Sequence, residues 1–157
     1  TMEVYQEKDV PIKQAVPNET VWLDELKIEF LAPLQFYDTM NNNSVVVKLT
    51  YGDTSFLMMG DAEKEEEQDL LNSGANLQAD VIKIGHHGSK TSTTQEFLNA
   101  VQPDMAVISV GPDKNELPKS EVLQRLEQSN VKTYRTDSSG TVIFMSDGAD
   151  ISVATEQ

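Results

Sequence analysis

Apolar and charged positions alternate most clearly in "WLDELKIEFLAP". There Leu26, Ile28 and Phe30 face one way against charged neighbours, which predicts a half-buried strand stopped by Pro33. "SVVVKLTYGDTSFLMMGD" predicts two strands folded back about Gly52-Asp53, apolar on most positions as for strands covered on both faces. From Ala62 to Asn72, "AEKEEEQDLLN" predicts a helix with acidic residues in its first turns, where the helix dipole favours them. Its "EKEEEQD" run reads as a solvated face, and Gly74 is a suitable stop. "DVIKI" predicts a short buried strand. Thr93-Thr-Gln-Glu96 is a capping box opening a helix to about Val101. "DMAVISV" is the next strand, Gly111 to Leu117 a loop, and Pro118 the first position of a helix "KSEVLQRLEQS". "KTYRT", "GTVIFMS" and "ADISVA" close the chain as three strands separated by Ser-Gly and Asp-Gly turns. Strands alternating with helices after an opening hairpin give an α/β layered domain.

Residues 1–20 are polar, carry two prolines and predict at most one short strand near Val10–Ala15; residues 21–157 read as one domain. A chain of 157 residues is long enough to bury a core, and 38% hydrophobic with 24% charged residues fits a soluble globular protein. The longest apolar runs, "FLMM" and "MAVISV", are far shorter than the roughly 18–20 residues of a bilayer span. No stretch has the layout of a signal peptide. The absence of cysteine excludes disulfide and thiolate chemistry and leaves the compartment open. A net charge of −14 repels phosphate backbones, so nucleic-acid binding by this chain alone is not expected. A bound divalent cation would reverse that locally.

Three clusters could carry chemistry. Gly60-Asp61 puts a carboxylate at the C-terminal end of a strand, where layered α/β proteins gather ligands; equally, Asp61 could cap the following helix. His86 and His87 are the only histidines, adjacent and flanked by Gly85 and Gly88. They read either as metal-ligating imidazoles or as a tight turn that carries them. Adjacent residues at a strand end point to opposite faces, so both reach one ion only if the turn rotates one of them. Asn41-Asn-Asn-Ser44 suits a loop entering a hairpin, or side chains that position a substrate. Arg135-Thr-Asp137 reads as a turn.

"NNNSVVVKLTYGDTSFLMMGDAE", "ADVIKIGHHGSKTSTTQEFLNAVQPDMAVISVG" and "VKTYRTDSSGTVIF", in that order, resemble the C-terminal half of metallo-β-lactamase-fold hydrolases, and among them the group related to the competence protein ComEC. The resemblance covers roughly residues 20–153. It implies an αββα sandwich with a site along one edge of its two sheets, holding one or two divalent cations, zinc or manganese. A metal-bridging water there attacks phosphodiester, ester or lactam bonds. In the ComEC group it further implies DNA uptake at the outer face of a bacterial membrane. By motif match Asp61 falls on the carboxylate that bridges the metals, and His86 or His87 falls at the site as ligand or substrate contact, with His87 the expected catalytic residue. Asn43 and Ser44 align with a polar pair lining the site, and Ser89 completes the GHHGS motif as a further substrate contact.

Two departures qualify this. The fold's H-x-H-x-D-H signature (H-x-D-x-D-H in the ComEC group) is absent, and Leu117 stands where relatives carry the histidine of Tyr-Gly-His-Pro. One carboxylate and at most two imidazoles fall short of the three protein ligands of a catalytic zinc site. The expectation is therefore the C-terminal half of the fold, a mixed sheet with helices on one face, binding metal weakly or not at all. Its function is then either that of an incomplete metal-dependent hydrolase or that of a non-catalytic module for binding or scaffolding. A bare sheet face should associate, with a second copy or with the missing N-terminal half.

Overall fold

A computed structural model describes residues 5, 7–111 and 116–156 of the chain. Its first four strands form an antiparallel meander, β1 (Thr20–Leu23), β2 (Leu26–Ala32), β3 (Val46–Tyr51) and β4 (Thr54–Met58). The pairing then becomes parallel through α1 (Lys64–Asn72) to β5 (Val81–Lys83), α2 (Gln95–Val101) to β6 (Met105–Ile108), and α3 (Ser120–Gln128) to β7 (Lys132–Arg135). Strand order in this seven-stranded sheet follows the sequence without a reversal. Parallel crossovers are right-handed. Three taken in the same direction therefore lay all three helices on one face, as expected.

That face holds the core. The register sets Leu57, Ile82 and Ala106 side by side, and these pack with Leu70, Phe97, Leu98, Val101, Val122 and Leu126 of the helices, all buried. A one-turn helix, α4 (Thr136–Ser139), leads into a separate antiparallel ribbon, β8 (Thr141–Ser146) and β9 (Ile151–Glu156). The ribbon lies against the other face. Phe144 meets Tyr134 edge-on at 5.6 Å and Phe56 at 6.4 Å.

Two strands cannot cover seven, so β3 is not covered on both faces as the sequence suggested, whereas Phe56 of β4 meets the ribbon. In β3 only Val46 and Lys48 are buried, while Val47 and Leu49 on the ribbon side are half-exposed. Other corrections are local. No strand forms at Val10–Ala15: Pro11 cannot donate to a ladder, and the edge of β2 is already taken by β1. "WLDELKIEFLAP" is not one strand but a hairpin, turning at Asp24 and Glu25. The cap of α2 is Thr94, whose hydroxyl accepts from Phe97 N, rather than Thr93. Pro118 precedes the N-cap of α3, Lys119, instead of opening the helix. The segment from Gly111 to Leu117 lies partly outside the described residues.

Candidate functional site

The C-terminal ends of β4, β5 and β6 converge. After β5 the chain makes a 3₁₀ turn, Gly85–Gly88, in which His86 (φ 45°) and His87 (φ 54°) both adopt left-handed backbone conformations. This is uncommon for residues with a Cβ, and the flanking glycines make room for it. A Cβ on Gly85 would stand 2.7 Å from the Ala62 carbonyl oxygen, and one on Gly88 (φ 80°) would stand 2.5 Å from Pro118 Cβ. His86 N donates to Gly60 O at 3.2 Å, tying the turn to the end of β4. The turn thus rotates the two rings away from a simple strand alternation, with centroids 6.5 Å apart and planes at 65°.

His87 is brought to Asp61. Its Nε2 lies 3.5 Å from Asp61 Oδ1, both side chains 44% exposed, and its Nδ1 donates to the Ser109 carbonyl at 2.5 Å. Ser109 is held in turn by its neighbour: Val110 N donates to Thr136 Oγ1 at 2.7 Å, and that hydroxyl donates to Val110 O at 2.6 Å. The segment read as a turn, Arg135-Thr-Asp137, therefore buttresses the site. Asp61 N donates to Ser44 Oγ at 2.9 Å. Lys83 Nζ donates to Gly60 O and Ile84 O; burial lowers its pKa, against the attraction of Asp61.

His86 goes elsewhere. Its Nδ1 is 2.9 Å from Glu63 Oε1, which also accepts from Thr91 Oγ1 at 2.7 Å. Asn41 Nδ2 lies 3.4 Å from both ring nitrogens. Sequence reasoning missed Glu63 and Thr91, and it read Thr136 only as part of a turn; Asn41 lies in the polar cluster it singled out. The only sequence signal for Glu63 is its place two residues after Asp61. Of the expected substrate contacts, Asn43 spends its amide on the Tyr37 and Thr39 backbone of its own loop. Ser89 Oγ pairs with Thr91 Oγ1 at 3.0 Å.

The acidic run is a solvated face only in part, at Lys64, Glu65 and Gln68. Glu66 and Glu67 are 0% and 1% exposed. Glu67 accepts from the backbone N–H groups of Thr93 and Thr94, and burial raises its pKa. Among the described residues Glu66 has no hydrogen-bond partner on either carboxylate oxygen; burial pushes its pKa up to about 8, against the lowering influence of the nearby Ser44 backbone. Asn42 donates to Glu65 at 3.0 Å and accepts from Glu63 N at 3.0 Å. The start of α1 thus fastens the loop before β3 and the turn after the histidines.

Asp61 and His87 are donors of the right chemistry for a divalent cation, but a catalytic zinc takes three protein ligands. Among the described residues no three His, Cys, Asp or Glu side chains group to hold a metal ion. Leu117 packs against the apolar core. Among the described residues these donors are too few for a catalytic zinc site by themselves.

The chain matches the family model of the metallo-beta-lactamase superfamily over residues 3–111. It is 38% identical over 154 residues to ComE operon protein 3 of Bacillus subtilis, covering 90% of this chain and 20% of that protein. It is 36% identical to competence protein ComA of Neisseria gonorrhoeae, covering 77% of this chain and 18% of that one. The chain thus spans about a fifth of the length of these relatives. Among solved structures it resembles CmlA, a diiron beta-hydroxylase from Streptomyces venezuelae, with TM-score 0.54 at 11% identity, over 77% of this chain and 32% of that one. The last likeness concerns the fold alone.

Proposed function

The chain belongs to the metallo-β-lactamase superfamily, and from that premise we propose that it is the C-terminal half of a ComEC-like, metal-dependent hydrolase domain acting on phosphodiester or related bonds. The observation that carries the reading is the apposition of Asp61 and His87 at 3.5 Å, at the C-terminal strand ends and inside the matched region. In the complete domain these two would hold zinc or manganese together with donors from outside this sequence. The bare face of the sheet supports a missing half as well. Val21, Leu23, Leu26, Ile28, Phe30, Val47 and Leu49 share it by register, and Leu23 is 59% exposed. Strands added beside the β8–β9 ribbon, from the N-terminal half or a second copy, would cover it. The resemblance extends the reading to nucleic acid handled during DNA uptake at the outer face of a bacterial membrane. At −14 the chain's own surface does not attract phosphate, so such a substrate would be held by the metal and by residues outside this chain.

A second reading, a non-catalytic half-domain for binding or scaffolding, is favoured by one observation: Leu117, which cannot ligate, is half-buried against the apolar core. Metal chemistry separates the two. Calorimetric titration of zinc or manganese into this chain should show binding weaker than micromolar. Micromolar or tighter binding that survives changing both His86 and His87 to Ala would place the centre elsewhere. In a longer chain that supplies the remaining donors, His87→Ala should lower hydrolysis by more than the roughly 100-fold that loss of an outer-shell partner costs. Undiminished hydrolysis would sink the enzyme reading of this site.

A further inference from the structure

The Gly85–Gly88 turn offers two imidazoles of identical chemistry to one carboxylate, and only one of them meets it. Both backbones are left-handed, so conformation alone does not make the choice. The partners of the Nδ1 atoms do differ. His87 gives its Nδ1 hydrogen to the Ser109 carbonyl, and His86 gives its own to Glu63 Oε1 at 2.9 Å. A carboxylate and a carbonyl only accept, so each Nδ1 carries a hydrogen. The His87 Nε2 atom faces Asp61 Oδ1 at 3.5 Å, whereas the His86 Nε2 atom lies 3.4 Å from the Asn41 amide nitrogen.

We propose that Glu63 is a positioning residue: its carboxylate draws His86 out of the Asp61 pair and so assigns His87 to it. Glu63 is well placed for this. Its side chain is 16% exposed, the Thr91 hydroxyl fixes the accepting oxygen at 2.7 Å, and its backbone N–H is held by Asn42 Oδ1. Lys64 N donates to Thr91 O at 2.9 Å, pinning the same two segments a second time. Because of that second tie, Glu63 is not needed to staple the loop to α1. A charge-assisted bond to an imidazole N–H is stronger than a neutral one, and an acceptor behind a histidine sets its tautomer and orientation.

The inference rests on the site reading only for why the choice matters; the contacts themselves are made by residues of this chain. Nitrogen-15 spectra of the imidazoles in alkaline buffer, with ring-to-methylene Overhauser contacts, test it. In the native chain His86 is expected in the Nδ1–H form, with the His87 ring close to the Asp61 methylene. Glu63→Gln keeps an accepting oxygen and should preserve both signatures. Glu63→Ala should move His86 to the Nε2–H form that free imidazole prefers and bring its ring into contact with Asp61. A native His86 in the Nε2–H form overturns the assignment, as does a Glu63→Ala chain with tautomer and contacts unchanged. Should Glu63→Ala not fold, Thr91→Val frees the same carboxylate; a lowered Nδ1–H population supports the assignment, and an unaltered one refutes it. Loss of hydrolysis in His87→Ala bears on the site, whereas the His86 tautomer bears on Glu63 alone.

Discussion

Among the described residues the enclosed Glu66 carboxylate has no hydrogen-bond partner, and its energetics are those of a cost carried at neutral pH. Its pKa is raised from the ordinary 4.5 to about 8, so the folded chain holds a proton that the unfolded chain has released. Stability tied to Glu66 is therefore fully present below pH 4.5 and is lost as pH rises through about 8. Glu66→Met removes the buried charge at similar volume. It should stabilise the chain by about 2–4 kcal/mol at alkaline pH, with the advantage narrowing as the pH falls toward the ordinary carboxylate range. Urea unfolding of both chains at several pH values measures this; a gap independent of pH would show that Glu66 is not the group responsible.

Between elements, the turn Ser92–Thr94 is gripped from two sides. Glu67 of α1 takes the backbone N–H groups of Thr93 and Thr94, while Arg125 of α3 donates to the carbonyls of Ser92 and Thr93. Ser92 Oγ passes the restraint to Gly85 O at 2.8 Å, the first residue of the histidine turn. Glu67→Ala leaves two N–H groups without their acceptor in a buried place and should cost about 2–4 kcal/mol. Glu67→Gln, which keeps an acceptor, should cost less. Amide exchange at Thr93 and Thr94 should quicken in the first variant well beyond the global change; exchange altered only in step with overall stability would mean that the grip is not local.

For the whole molecule, the one-directional order of the sheet has a consequence for association. All three crossover helices occupy one face, so the other depends on a two-stranded ribbon. Beside it stand Val21 at 37% and Leu23 at 59% exposure, and the ribbon's outer positions Ile143 and Met145 stand at 37% and 49%. Apolar area of this kind associates. Sedimentation of the isolated chain should show self-association that rises with concentration, and Leu23→Lys should weaken it. A monomer at all concentrations, with no binding of an apolar dye, would count against the bare-face picture.

The sequence by itself determined most strands and helices and the family, because these rest on local periodicity, turn residues and short motifs. "LKIEFLA", "VVKLTY" and "KSEVLQRLEQ" each carry their own period. It also marked Asp61 and the histidine pair, since strand-end glycines announce both. What it left open was every choice that depends on a neighbour distant in the chain. Whether an acidic residue on α1 is solvated or enclosed depends on loops some twenty residues away, so Glu66 and Glu67 could not be told from Glu65. Which imidazole meets Asp61 depends on Glu63, Thr91 and Ser109, brought in from three strand ends. The pattern of a strand specifies that it has an apolar face, whereas only the direction of the crossovers decides which face the helices cover and which is left bare.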